Sequence, residues 1–428
     1  MEMFRTLAKA WKKQDIRHKM IFTLLMMIVY RLGANIPVPG INREVLSKLF
    51  DGGGGIFELF NLFSGGAFSQ MTIFALSITP YITASIILQL LTIAIPKLET
   101  LAKEGGEGQK KIAQYTRYLT VVLSLVQAIG ITYGIVKPSL NDTGKLSIAL
   151  VVVVLTAGTA FLMWLGEQIT ERGVGIGNGI SLLIFAGIIA RMPTLLQGSM
   201  VKYEAGEVDA VSIALFVLFA VVIIVGIIMI QEGQRRVPVQ YAKRVVGRKM
   251  YGGQSSHIPM KVNQAGVIPV IFSMAFLQTP LTFMHFWPNS AFGQWAAKWM
   301  SPSGSPGVWV YAIADVLLIL FFTYFYTAVS FNPLEIAQNM KANGGFVPGI
   351  RPGKTTVEYL NRVMTRITFV GAVFLAAISI LPTILSQSMG LSIHFGGTSL
   401  LIAVGVALDT MKQIENQMLM RDYQGFLR

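Results

Sequence analysis

Four charged side chains, Arg31, Arg191, Asp315 and Asp409, lie inside long apolar stretches of this chain, and carboxylates in that setting are the groups with which a membrane pump binds and releases its coupling ion. Only two carboxylates are present. Asp315 lies about two turns inside one end of its stretch and Asp409 near the end of another, places that suit a helix-end or structural polar group better than an ion relay. Other chemistry is thinner. Gly353-Lys354-Thr355 imitates the end of a phosphate-binding loop, but the glycine required five residues earlier is Pro348. Gly175, Gly177 and Gly179 lack the next glycine of a dinucleotide fingerprint and precede an apolar stretch instead of a sheet-packed helix. There is no cysteine, and His18, His257, His285 and His394 are too scattered to suggest a metal cluster. No nucleophile is paired with a base. These absences point to a passive membrane protein without cofactor or metal, whose cargo, if driven, takes its energy from another protein.

Shape offers more than charge. Ile78 with Ile82, and Ile180 with Ile184, recur at i and i+4, so each pair shares one face of a helix. Ser77, Thr79, Thr83, Ser85, Gln89, Asn178 and Ser181 lie around them, more polar groups than a lipid-facing helix carries. Stiff β-branched side chains around a narrow opening seal it against water without binding what passes; ordinary apolar packing accounts for such pairs too. Between Gly52 and Ala67, the residues Ile56, Phe57, Leu59, Phe60, Leu62 and Phe63 form an apolar segment too short to span, bracketed by glycines. It reads equally as a re-entrant half-helix filling a cavity or as an external interfacial helix.

The elements that must position these residues follow from composition. Of 428 residues 53% are hydrophobic and 13% charged, against about a quarter charged in a soluble domain. Ten stretches suffice to cross hydrocarbon, near residues 20–36, 70–95, 118–136, 146–166, 178–197, 210–230, 263–284, 308–330, 363–386 and 398–414. Lipid cannot satisfy backbone N–H and C=O groups, so the spans must be helices, and the fold class is an all-α membrane protein. Most of the 35 Lys and Arg residues fall on the side of the two termini, which places both termini in the cytoplasm. Residues 1–19 set Phe4, Leu7, Ala8 and Trp11 among Arg5, Lys9, Lys12, Lys13 and Arg17, an amphipathic segment suited to anionic phospholipid.

Ten spans divide into five (20–204) and five (205–414), with a tail at 415–428, and an odd number per half turns the second half upside down. Loop lengths agree: the first loop of each half is long, 37–69 and 231–262, and the second intermediate, 96–117 and 285–307. Loop 331–362 breaks the pattern and looks like an addition with its own task. Inverted repeats of this kind commonly frame a pathway at their interface.

Motifs then narrow the class. Ile78-Thr-Pro-Tyr-Ile-Thr-Ala-Ser-Ile-Ile-Leu-Gln-Leu-Leu91 resembles the second span of the SecY family, central subunits of bacterial protein-conducting channels. So do Ile36-Pro-Val-Pro-Gly-Ile-Asn42, Gly177-Asn-Gly-Ile-Ser181, Ala265-Gly-Val-Ile-Pro-Val-Ile271, Phe346-Val-Pro-Gly-Ile-Arg-Pro-Gly353 and Gly396-Gly-Thr-Ser-Leu-Leu-Ile402. The motifs run in family order from near the N-terminus to the C-terminus. The resemblance implies ten transmembrane helices in two inverted halves around an hourglass pore that opens sideways between spans two and seven. It carries the constriction ring onto Ile78, Ile82, Ile180, Ile184, Ile271 and Ile402, the plug onto about residues 53–67, and lateral-gate positions onto Thr83, Ile86 and Thr279.

The resemblance also implies partners. These are the small subunits SecE and SecG, the motor ATPase SecA, the ribosome, and signal sequences and unfolded polypeptides as cargo. Docking falls on Arg235, Arg236, Lys243, Arg244, Arg248 and Lys249 in loop 231–262, and on Arg351 and Lys354 in loop 331–362. Two places depart from the family pattern: the run Gly52 to Gly55, and Gly106-Glu-Gly-Gln-Lys-Lys-Ile112, where relatives more often have paired arginines. A small-solute transporter and a membrane-embedded assembly factor are the competing classes.

Overall fold

The computed structural model describes residues 8–42, 45–46, 64–174, 179–206, 209–241, 244–246, 249–251, 255–286, 290–300, 307–389 and 397–426. The predicted plug residues Ile56, Phe57, Leu59, Phe60, Leu62 and Phe63, and the docking residues Lys243 and Arg248, lie outside the described residues.

A helix occupies each of the ten predicted places: α1 (Gln14–Gly33), α2 (Thr79–Ala94), α4 (Gly106–Ile131), α5 (Lys145–Arg172), α6 (Gly179–Glu204), α7 (Ala210–Glu232), α8 (Ile268–Phe286), α10 (Gly307–Ser330), α12 (Lys354–Met389) and α13 (Gly397–Phe426). Among the described residues, three shorter α-helices, α3 (Pro96–Lys103), α9 (Ala291–Trp299) and α11 (Pro333–Ala342), lie in the connections. Among the described residues, five segments are long and apolar enough to cross a membrane unaided, namely Gly106–Ser139, Lys145–Arg172, Ile213–Glu232, Gly307–Ala342 and Lys354–Leu381. Helices α2 and α3 qualify together as a pair bent by 102°. In α6 and α8 the apolar runs are shorter, Gly179–Thr194 and Ile268–Pro280.

The second span begins later than residue 70. Residues 64–78 are a string of turns, with Met71 and Ser77 at positive φ, and the helix starts at Thr79 with Pro80 in its first turn. Proline has no N–H and its ring collides with the carbonyl four residues back, so it opens a helix and does not continue one. The non-helical backbone is satisfied by its neighbours: Val38 N–H donates to the Met71 carbonyl and Ile73 N–H to the Ile36 carbonyl, both at 3.0 Å, as backbone at membrane depth requires.

The two halves pack in the same order. In the first, α1 lies against α5 and α6, while α2 meets α4, α4 meets α5 and α5 meets α6; in the second, α7 lies against α12 and α13, while α8 meets α10, α10 meets α12 and α12 meets α13. The halves touch where α8 lies on α2 and α4 and where α13 lies on α6. One apolar cluster runs through this junction, from Tyr30 and Ile82 through Ile184 and Ile271 to Ile402.

The connections add small sheets to the helical bundle. Loop 231–262 folds into strands β1 (Gln234–Tyr241), β2 (Arg244–Val246), β3 (Lys249–Tyr251) and β4 (Ser255–Lys261), and β1 pairs antiparallel with β4 from Gln234↔Lys261 to Gln240↔Ser255. Strand β1 also pairs with β5 (Gly345–Phe346) of loop 331–362, through Gln240↔Phe346 and Tyr241↔Gly345. Val237, Val239, Met260, Met340, Val347 and Leu360 form a separate apolar core beneath this sheet. Residues 96–117 are helical as well, filled by α3 and the start of α4.

Candidate functional site

The N-terminal end of α6 places two of the isoleucines. Gly179 N–H donates to Thr170 Oγ1 at 3.0 Å, which satisfies a donor that a helix start leaves open. A Cβ at Gly166 on α5 would lie 2.6 Å from Ile180 Cγ1, so only glycine lets α6 sit this close to α5 and aim Ile180 and Ile184 inward. On α2, Ile78 is the cap residue, and Ile82 N–H donates to its carbonyl at 3.1 Å; the i,i+4 relation thus survives although the helix begins only at Thr79. Ile271 comes from α8 and Ile402 from α13, the two second-half helices that cross to the first half.

Ile82, Ile180, Ile184 and Ile271 meet in the wall of a cavity of about 410 Å³, joined by Ile268 and Phe272. Ile78 and Ile402 are 3% and 1% exposed and belong to the same apolar cluster without lining the cavity. The cavity is thus lined by hydrocarbon from both halves of the fold. Its lining also includes Ser85, Gln89, Thr170, Glu171 and the ion pair Arg117–Glu167, whose Nε and Oε1 lie 2.7 Å apart. Gln89 lies two turns past Ile82 toward the α2–α3 bend. Stiff apolar side chains beside such polar groups offer water and ions little to bind.

The seam between α2 and α8 carries the remaining positions. Ile86 is buried in the junction cluster, and Thr83 and Thr279 are half-buried, their hydroxyls donating to the carbonyls of Thr79 at 3.1 Å and Ala275 at 3.0 Å. Both hydroxyls thus donate within their own helices and not across the seam.

Arg235 and Arg236 are exposed on β1, and Arg351 and Lys354 are exposed where β5 leads into α12. Arg244 and Lys249 pair with Tyr251 and Val246 across the β2–β3 hairpin. The β1–β5 pairing joins the two predicted docking loops into one unit, a link that sequence reasoning treated as two separate features.

Two further contacts escaped the sequence reading. Arg117 and Glu167 each fell one residue outside a predicted span, yet α4 and α5 are antiparallel neighbours, and the two residues lie nearly equally far from the short loop at 137–145 that joins them. That spacing is the signal that finds the pair. The other is the pair of serine partners of Asp315 on α10, which is 5% exposed and accepts hydrogen bonds from Ser273 Oγ of α8 at 2.6 Å and from Ser379 Oγ of α12.

Comparison with known proteins matches the SecY family model over residues 72–411. The protein translocase subunit SecY of Halalkalibacterium halodurans is 49% identical over 439 residues, covering 100% of both chains. A solved structure described as that of a protein conducting channel aligns with TM-score 0.67 at 19% identity, covering 95% of this chain and 93% of that one. Sec61 in the canine ribosome-channel complex from the endoplasmic reticulum aligns with TM-score 0.64 at 17% identity over 95% and 93%. At these identities the two structures speak for the fold.

Proposed function

This chain belongs to the SecY family, and we propose that the isoleucine-lined end of its cavity is the constriction through which unfolded polypeptide crosses the membrane. As a translocase subunit it is a multi-pass membrane channel that conducts protein and catalyses no reaction of its own. The observation that carries the pore assignment is the meeting of Ile82, Ile180 and Ile184 from one half with Ile271 from the other, in the lining of one cavity that also holds polar groups.

Within that reading, residues 20–204 and 205–414 are the two halves and residues 53–67 are the plug on the far side of the ring. Thr83, Ile86 and Thr279 mark the seam through which hydrophobic segments leave for lipid. The membrane is the bacterial cytoplasmic membrane with both termini inside, as the distribution of Lys and Arg favours. Arg235, Arg236, Lys243, Arg244, Arg248, Lys249, Arg351 and Lys354 form the docking face for a ribosome, whose phosphates attract such a cluster, or for the motor SecA. The canine relative's ribosome complex supports the first partner. SecE and SecG complete the channel, and anionic phospholipid surrounds it. Vesicles carrying the chain with SecE, SecG and SecA test this: a secretory precursor becomes protease-protected on adding ATP, and no protection above protein-free vesicles would refute the reading.

A further inference from the structure

Buried carboxylates are expensive at membrane depth and stay where they do something, and the channel reading gives Asp315 nothing to conduct. It lies on the stripe Val308, Ala312, Asp315, Ile319 and Phe322, the face of α10 that is buried against its neighbours. Its two side-chain oxygens are used by different helices: Oδ1 accepts from Ser273 Oγ of α8 at 2.6 Å, and Oδ2 accepts from Ser379 Oγ of α12. Ser273 Oγ also lies 3.3 Å from the Asp315 backbone carbonyl. One carboxylate thus holds three helices together.

The position of Ser273 on α8 gives that clasp a consequence. Ile271 stands two residues earlier, so the two side chains are about 200° apart around the helix. The front of α8 carries Ile271 into the cavity wall, and its back is held by Asp315. α8 is also the second-half helix that closes the seam against α2. We propose that the Ser273–Asp315–Ser379 clasp is a positioning device that fixes α8 to α10 and α12, so that the seam opens only when a bound signal sequence moves this slab as a unit. Without the clasp α8 shifts alone, and weak signals suffice. The proposal rests on the channel reading above.

Apolar packing around the clasp keeps the variants foldable: Phe272 and Phe276 of α8 pack on Phe322 of α10 at centroid distances of 5.6 and 6.4 Å. The test compares export of one secretory protein with an intact and with a defective signal sequence. Asp315→Ala is expected to raise export of the defective form about tenfold relative to the intact form, with intact export changed less than about twofold. Asp315→Asn offers one acceptor and one donor to the two hydroxyls, so it is expected to restore the normal ratio. The triple alanine variant at Asp315, Ser273 and Ser379 strands no polar group and is expected to match Asp315→Ala; it carries the test if the single variant does not accumulate. A normal ratio in both alanine variants, or an Asp315→Asn variant that behaves like Asp315→Ala, would overturn the clasp. Loss of intact export in the unmodified chain would instead sink the channel reading.

Discussion

Gly65 lies against Gly187 of α6 so closely that a Cβ on Gly65 would sit 2.8 Å from the Gly187 Cα. Gly65 has φ +63°, a conformation that other residues reach at a cost of about 1–3 kcal/mol. The turn is held from the other side as well: Arg31 Nη1 donates to the Gly65 carbonyl at 3.2 Å and Tyr30 Oη to the Ser64 carbonyl at 3.5 Å. Arg31, the one cation predicted inside the first span, thus has a structural task at the end of the proposed plug segment.

Gly65→Ala or Gly187→Ala is therefore expected to push this turn off α6 and weaken the seal behind the ring. Single-channel recordings in planar bilayers should show resting ion conductance rising above that of the unmodified protein. Resting currents unchanged in both variants would separate the turn from the seal.

The seal at the proposed ring is expected to depend on hydrocarbon more than on shape. Ile82→Ser, Ile184→Ser and Ile271→Ser should each raise resting ion leak and admit water, because a hydroxyl lowers the barrier that apolar walls present. The corresponding leucine variants keep volume and polarity, typically cost under about 1.5 kcal/mol, and should leak little. Equal leak in serine and leucine variants would mean that side-chain fit, and not exclusion of water, makes the seal.

The pairing Gln240↔Phe346 is checked by cysteines placed at both positions, in a chain that has none of its own. Antiparallel partners lie about 4.5–5.5 Å apart at Cα, within reach of a disulfide. With a protease site introduced between the two loops, the oxidised protein should stay one piece after cleavage and separate on reduction. Separation without reductant would disprove the link between the loops.

Much of the fold was legible because lipid leaves few alternatives: an apolar run of sufficient length must be helical, and all ten predicted places are helices. The start of the second span was misplaced because hydropathy runs smoothly through residues 70–78, while Pro80, which opens the helix, is one residue in a long apolar pattern. The β1–β5 pairing joins residues a hundred positions apart and rests on backbone hydrogen bonds, which leave little trace in side-chain pattern. At the site, Ile82 and Ile184 were visible from i,i+4 spacing, and Ile271 only from its motif, since no periodicity ties it to the other two. Arg117 and Glu167 were hidden by being counted as loop charges. Asp315 was noticed, and its two serine partners were not, because Ser273 and Ser379 are ordinary residues until three helices bring them together.

The most direct measurement places a cysteine at Ile82 and a second in a secretory chain stalled midway by a bulky C-terminal domain. A disulfide that forms only with the stalled chain puts polypeptide within the ring, as predicted. If no disulfide forms at Ile82, Ile184 or Ile271 although stalling and membrane insertion are verified, the cargo travels elsewhere and the pore assignment is wrong.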